Sequence, residues 1–164
     1  MTNLSIKDED LVAMGAIAVR RESGLLRTLL GSCIGVAIYD RRVKLIGLAH
    51  VVMPDSMGRT NALGKYADTA VPELVRQMTK LASSSRLELS AKIAGGANMF
   101  ANISQNSTNS IGDKNRIAVE AALNELGIPI KARHLGGNAG RKMVVHAATG
   151  TIQIQIVGQD AVEI

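Results

Sequence analysis

One cysteine and three histidines occur in the 164 residues, so thiol chemistry falls to Cys33 and imidazole assistance to His50, His134 or His146. A lone cysteine can neither close an intramolecular disulfide nor build a thiolate metal site unaided. The histidines lack the close helical pairing of a zinc motif, so the chemistry reads as metal-free and without a cofactor. What is left to a thiol is attack on a carbonyl carbon, and that needs a base close by. His50 is the candidate. The apolar runs Ile34 to Asp40 and Val43 to Val52 are parted only by Arg41 and Arg42, which predicts a hairpin. A two- or four-residue turn centred on those arginines sets Cys33 opposite His50. Side chains paired directly on one sheet face have Cβ atoms about 4.5–5.5 Å apart, close enough for an imidazole nitrogen to reach a sulfur. A loop of odd length would shift the pairing by one residue and turn His50 to the other face.

An imidazolium beside the sulfur would lower the thiol pKa and hold a thiolate ready to form a thioester. Gly31 and Ser32 put a tight bend just before Cys33, which would leave backbone N–H groups free to hold an oxyanion, with Ser32 a further candidate there. A third group must fix the imidazole tautomer. Thr28, on the strand entering the bend, and Asp55, in the loop after His50, are the two candidates. Against all this stands the ordinary case, since most cysteines in apolar strands are simply packed and most such histidines are structural. The cross-strand pairing is what separates this pair from that background.

The elements that must hold these residues follow from periodicity. Leu11 to Val19 predicts a strand and Leu25 to Leu30 another, followed by the hairpin, whose faces are both apolar and must both be covered. Pro54 to Gly64 reads as a loop long enough to line or cover a site. Asp68 is the expected N-cap of a helix with Val71, Leu74, Val75, Met78 and Leu81 at helical spacing, closed by Ser83 to Ser85. Leu89 to Ile93 reads as a strand running into Gly95 and Gly96, and Asn102 to Ser110 as a mobile loop. Asp113 is the expected cap of a second helix with Ile117, Ala118, Ala121, Ala122 and Leu126 on its apolar face and Gly127 at its end. Strands over Ile128 to Leu135, Met143 to Ala148 and Thr151 to Val157 complete the chain. About eight strands and two helices without βαβ alternation make an α+β domain, strand-rich and layered, with the helices packed outside. Residues 1–164 read as one domain with residues 1–10 a flexible start.

Composition narrows the function class. A net charge of +5 favours an acidic partner. Three aromatic residues and no dense Lys/Arg run argue against nucleic acid. Charged and glycine residues interrupt every apolar run, which argues against membrane insertion, and the start lacks a secretory pattern, so the cytoplasm is the expected location. The pairs Gly95-Gly96 and Gly136-Gly137 lack the spacing of phosphate or dinucleotide loops and read as tight turns.

Several segments together resemble the CheD family of chemoreceptor glutamine deamidases: Thr28 to Gly35 (TLLGSCIG), Leu48 to Asp55 (LAHVVMPD), Gly64 to Ala70 (GKYADTA), Lys92 to Phe100 (KIAGGANMF), Ile111 to Asn115 (IGDKN) and Gly136 to Arg141 (GGNAGR). The resemblance runs from about Val12 to Val157. It implies a Cys-His-Thr triad falling on Cys33, His50 and Thr28; Gly31, Ser32 and Asp55 remain oxyanion or site-lining candidates from the residues themselves. It also implies a fold like that of toxin domains that deamidate glutamine. The substrate it implies is a glutamine on the helical cytoplasmic part of a chemoreceptor, converted to glutamate, with glutamyl methyl esters as a second substrate. A CheC-type phosphatase is the other partner it implies, and a binding module regulating that phosphatase is the alternative function. A monomer is expected.

Overall fold

The alternation of apolar residues along the hairpin decides the layering. On the strand Ile34–Asp40, residues Ile34, Val36 and Ile38 join one buried cluster while Ala37 and Tyr39 join another, and the following strand divides in the same way. Such a strand is stable only in the middle of a stack. The computed structural model, which describes residues 9–84, 86–100 and 110–164, has that arrangement. Its described elements are β1 (Glu9–Leu11), β2 (Ile17–Arg21), β3 (Leu25–Leu30), β4 (Ile34–Asp40), β5 (Leu45–Val51), α1 (Ala67–Ala82), β6 (Ser90–Gly95), α2 (Ile111–Glu125), β7 (Ile130–Leu135), β8 (Arg141–His146), β9 (Ile152–Ile156) and β10 (Val162–Glu163).

The strands form two five-stranded sheets, ordered β1-β3-β8-β9-β10 and β2-β5-β4-β6-β7. Helices α1 and α2 lie on one face of the second sheet, where Val71, Leu74, Met78, Val119 and Leu123 meet Ile34, Val36, Leu45 and Val51. Its other face packs on the first sheet, through Ala37, Tyr39, Ile46 and Leu48 against Leu26, Leu30, Met143, Val145 and Ile154. Each fully buried Leu or Ile side chain is worth roughly 1.5–3 kcal/mol. The fold is α+β and layered with two outer helices, as the sequence predicts. Gly35 lets the sheets close: a Cβ there would sit 2.7 Å from Met143 Sδ and 2.9 Å from Leu30 Cδ1.

Several local expectations are corrected. The run Leu11 to Val19 is not one strand. It breaks around Gly15, at φ 76°, so that β1 pairs parallel with β3 in the first sheet and β2 pairs with β5 in the second. Glu9 and Asp10 belong to β1, which overturns that part of the flexible start; residues 1–8 lie outside the described residues. Of the expected mobile loop, residues 102–109 also lie outside them, and Ser110 is the N-cap of α2. Its Oγ accepts from Asp113 N at 3.2 Å and donates to Asp113 Oδ2 at 2.9 Å, so Asp113 is the cap's partner, three residues into the motif. Asp68 is likewise not a cap. Helix α1 begins before it, and its carboxylate accepts from Ser56 N at 2.9 Å and Ser56 Oγ at 2.6 Å, tying the long loop to the helix. Gly127 does follow the end of α2 in the left-handed region, at φ 69°. Gly95, the last residue of β6, and Gly96, Gly136 and Gly137 also have positive φ.

Candidate active site

The hairpin turn is four residues, but it is not centred where the sequence predicts. Asp40 accepts from Arg42 N at 3.0 Å and caps a 3-10 turn over Arg41–Val43, Lys44 follows in the left-handed region, and Asp40 pairs with Leu45. The ladder therefore sets His50 opposite Gly35 and Ile34 opposite Val51. Cys33 is not directly opposite His50 but one diagonal step away. Because the offset is even, both side chains still point the same way, into the space between the sheets. Diagonal neighbours stand roughly 7–8 Å apart, still within reach of a long or aromatic side chain.

Thr28 reaches the same space from the facing sheet. Thr28, His50 and Cys33 are 1 %, 2 % and 9 % exposed. The Thr28 hydroxyl lies 2.7 Å from His50 Nδ1 and donates to the Val12 carbonyl at 2.6 Å. A hydroxyl has one hydrogen, and here it is committed to Val12, so toward the ring it can only accept. Nδ1 therefore carries the imidazole proton, which leaves Nε2 as a bare lone pair. Nε2 is buried and has no hydrogen-bond partner among the described residues, the thiol included. The crossing between β1 and β2 holds this arrangement, with Gly15 N donating to His50 O at 2.9 Å and His50 N to Ala16 O at 3.1 Å. Asp55, the other candidate for the third group, is exposed and accepts from Met57 N at 2.7 Å, an ordinary turn role away from the ring.

Burial pushes the Cys33 thiol up from its ordinary value of 9.0, against a smaller opposing pull from its own backbone N–H. Burial also pushes His50 down from 6.5, opposed by the Val12 carbonyl. Both shifts run toward thiol plus neutral imidazole and away from the thiolate beside imidazolium expected from the sequence. The cause is desolvation, which disfavours both charged forms.

The bend before Cys33 is clamped by backbone bonds. Ala97 N donates to Gly31 O at 3.0 Å and Gly96 N to Cys33 O at 2.9 Å. A Cβ on Gly95 would come within 2.1 Å of Cys33 O, so only glycine permits this approach. Gly31 and Ser32 are half-buried, and Gly31 lines a groove of about 570 Å³ together with Leu29, Met99, Arg141 and Val157 among others. Sequence reasoning missed one residue here. Asn115, fully buried on α2, donates from Nδ2 to Val52 O at 2.9 Å and to Ser32 O at 3.2 Å. Its only signal was its place in the Ile111 to Asn115 segment.

The comparisons with known proteins agree with one another. The family model described as CheD chemotactic sensory transduction matches residues 52–156. A Clostridium botulinum (strain Alaska E43 / Type E3) protein named probable chemoreceptor glutamine deamidase CheD is 40% identical over 167 aligned residues, covering 100% of both chains. A second, from Clostridium botulinum (strain Eklund 17B / Type B), is 44% identical over 82% of this chain and 84% of its own. The Thermotoga maritima chemoreceptor glutamine deamidase CheD is 42% identical over 90% of this chain and 92% of its own. With most of its length matched by the family model and by relatives of this identity, the chain belongs to the CheD chemotactic sensory transduction family.

Proposed function

We propose that the chain hydrolyses glutamine side chains of chemoreceptors to glutamate through a Cys33 thioester, with His50 as base and acid and Thr28 fixing the imidazole tautomer. The observation that carries this reading is the unpartnered Nε2 of His50, held as an acceptor by the Thr28 hydroxyl and facing the same inter-sheet space as Cys33. The names of the relatives supply the substrate class.

Nε2 takes the thiol proton as sulfur bonds to the carboxamide carbon and the carbonyl electron pair moves onto oxygen. Collapse of that oxyanion breaks the C–N bond, and Nε2 returns its proton to the leaving nitrogen, which departs as ammonia. Water then loses a proton to Nε2 and attacks the thioester carbon. The C–S bond breaks and the sulfur is reprotonated. Glutamine and water become glutamate and ammonia. A glutamyl methyl ester would give the same thioester with methanol leaving. The N–H of Cys33 would serve as one oxyanion donor.

The test is incubation with a chemoreceptor cytoplasmic fragment, followed by intact mass and ammonia. A gain of about one dalton per site with matching ammonia, and no cleavage or cross-linking, is expected. Chain cleavage would make the protein a peptidase, and amine incorporation a transglutaminase. No conversion, with retained binding to a CheC-type phosphatase, would favour a regulatory binding module instead.

The neutral resting pair fixes the pH behaviour. Because burial lowers His50 below 6.5, the base stays unprotonated through neutrality, and kcat/KM should fall only as pH drops beneath that value. Because burial raises Cys33, iodoacetamide should react slowly at about pH 5, where a preformed thiolate would react fast. Fast alkylation there would mean an ion pair and reverse the assignment of His50 as a neutral base.

A further inference from the structure

Helix α2 presents a polar side chain at the centre of its buried face, among Val119, Ala122 and Leu123. Asn115 is 0 % exposed, and both groups it meets, the carbonyls of Ser32 and Val52, are acceptors. Its amide therefore cannot be turned round: only the NH2 end fits, and Oδ1 is left buried without a partner among the described residues. An apolar residue would avoid that cost, so packing alone does not account for an asparagine here. The helix also comes unusually close. A Cβ on Gly112, one turn earlier, would lie 2.5 Å from Gly96 O, so this end of α2 presses onto the same turn that accepts its geometry from Cys33.

The two carbonyls belong to the two segments that carry the chemistry. Ser32 immediately precedes Cys33, and Val52 follows the strand that carries His50. The Ser32–Cys33 peptide is trans, as are all the others described. A trans peptide holds C=O and N–H on opposite sides of one plane, so fixing the Ser32 carbonyl on Asn115 also fixes the Cys33 N–H, pointing the other way. That N–H has no partner in any other described residue; what it meets is its own sulfur, where it favours the thiolate.

We infer that Asn115 is a positioning residue: by gripping the Ser32 carbonyl it aims the Cys33 N–H at the oxyanion formed when the sulfur attacks a carbonyl carbon. The inference rests on the thioester reading above. Asn115 touches neither the sulfur nor the imidazole in this role, and its effect passes through a single peptide plane. A donor aimed beforehand stabilises charge that develops only in the transition state, so its loss should appear in acylation and not in the reactivity of the thiol itself.

Two reagents separate these. Burst release of p-nitrophenol from p-nitrophenyl acetate reads acylation through a tetrahedral oxyanion, whereas iodoacetamide reads displacement at carbon with no oxyanion. Cys33→Ala assigns both signals to Cys33. In Asn115→Ala, acylation is expected to fall about 100-fold, with alkylation changed little, thermal unfolding still cooperative and substrate KM retained. Asn115→Asp, held neutral by burial against two carbonyl oxygens, and Asn115→Ser each keep one hydrogen to donate and should recover part of the burst. If Asn115→Ala does not fold, the Asp and Ser variants carry the comparison. Equal losses in both reactions, or no loss in either, overturn the inference. A wild-type protein that shows neither burst nor deamidation overturns the thioester reading, and this inference with it.

Discussion

Replacing Cys33 with alanine is expected to lower glutamine conversion on a receptor fragment on the order of 10⁴–10⁶-fold while leaving a folded protein. The size follows from the chain having no second thiol. A water molecule activated by His50 could attack the amide, but the carboxamide is a poor electrophile for so weak a nucleophile. Stability should change little, because Cys33 sits at the margin of the inter-sheet cluster and loses one sulfur atom, so a cost of about 1 kcal/mol is expected. Thermal unfolding and receptor-fragment binding check that the loss is chemical. Conversion surviving at wild-type rate in this variant would end the thioester mechanism, whatever became of the deamidase activity.

The site was more legible in the sequence than the register that builds it. Parity did the work. A hairpin turn of even length keeps Cys33 and His50 on one face whether it is centred on Arg41 and Arg42 or, as the structure has it, one residue further along with Asp40 capping it. The pairing partner was therefore off by two residues while the shared face survived. Thr28 stayed open against Asp55 because a loop carboxylate and a strand hydroxyl are equally plausible partners for an imidazole until the facing sheet is in place, and no local pattern says which sheet faces which.

The helix faces were harder. Counting only apolar residues on α2 selects Ile117, Ala118, Ala121, Ala122 and Leu126; Ala122 is buried and Ala118 packs on the core, yet Ile117 is 55 % exposed and the buried face also runs through Gly112, Asn115, Val119 and Leu123. A count of apolar residues passes over a buried asparagine and a buried glycine, so part of the face comes out rotated. The errors at Asp68 and Asp113 share a different cause. An acidic residue at the start of a helix can be the cap, lie within the first turn or bind a distant loop, and spacing alone does not choose among these. The break near Gly15 was hidden inside an apolar run because each half is buried by a different sheet.

His50→Ala is expected to reduce turnover about 10²–10⁴-fold, the usual share of a positioned acid–base group, and Thr28→Val about 10–100-fold, the usual share of a residue that orients one. Thr28→Val keeps the shape and removes the hydroxyl, so Nδ1–H and the Val12 carbonyl both lose their partner, and the ring is free to move its proton to Nε2, where it cannot accept from the thiol. Thr28→Ser keeps the oxygen and should retain most activity. The sharper result concerns the pair. If the hydroxyl acts only through the imidazole, the double variant Thr28→Val with His50→Ala should be no slower than His50→Ala alone, since the orientation of an absent ring has no value. Losses that multiply would mean that Thr28 acts on the substrate or the sulfur independently. The chain would then hold two separate catalytic groups on facing sheets in place of one relay from Val12 through Thr28 to His50.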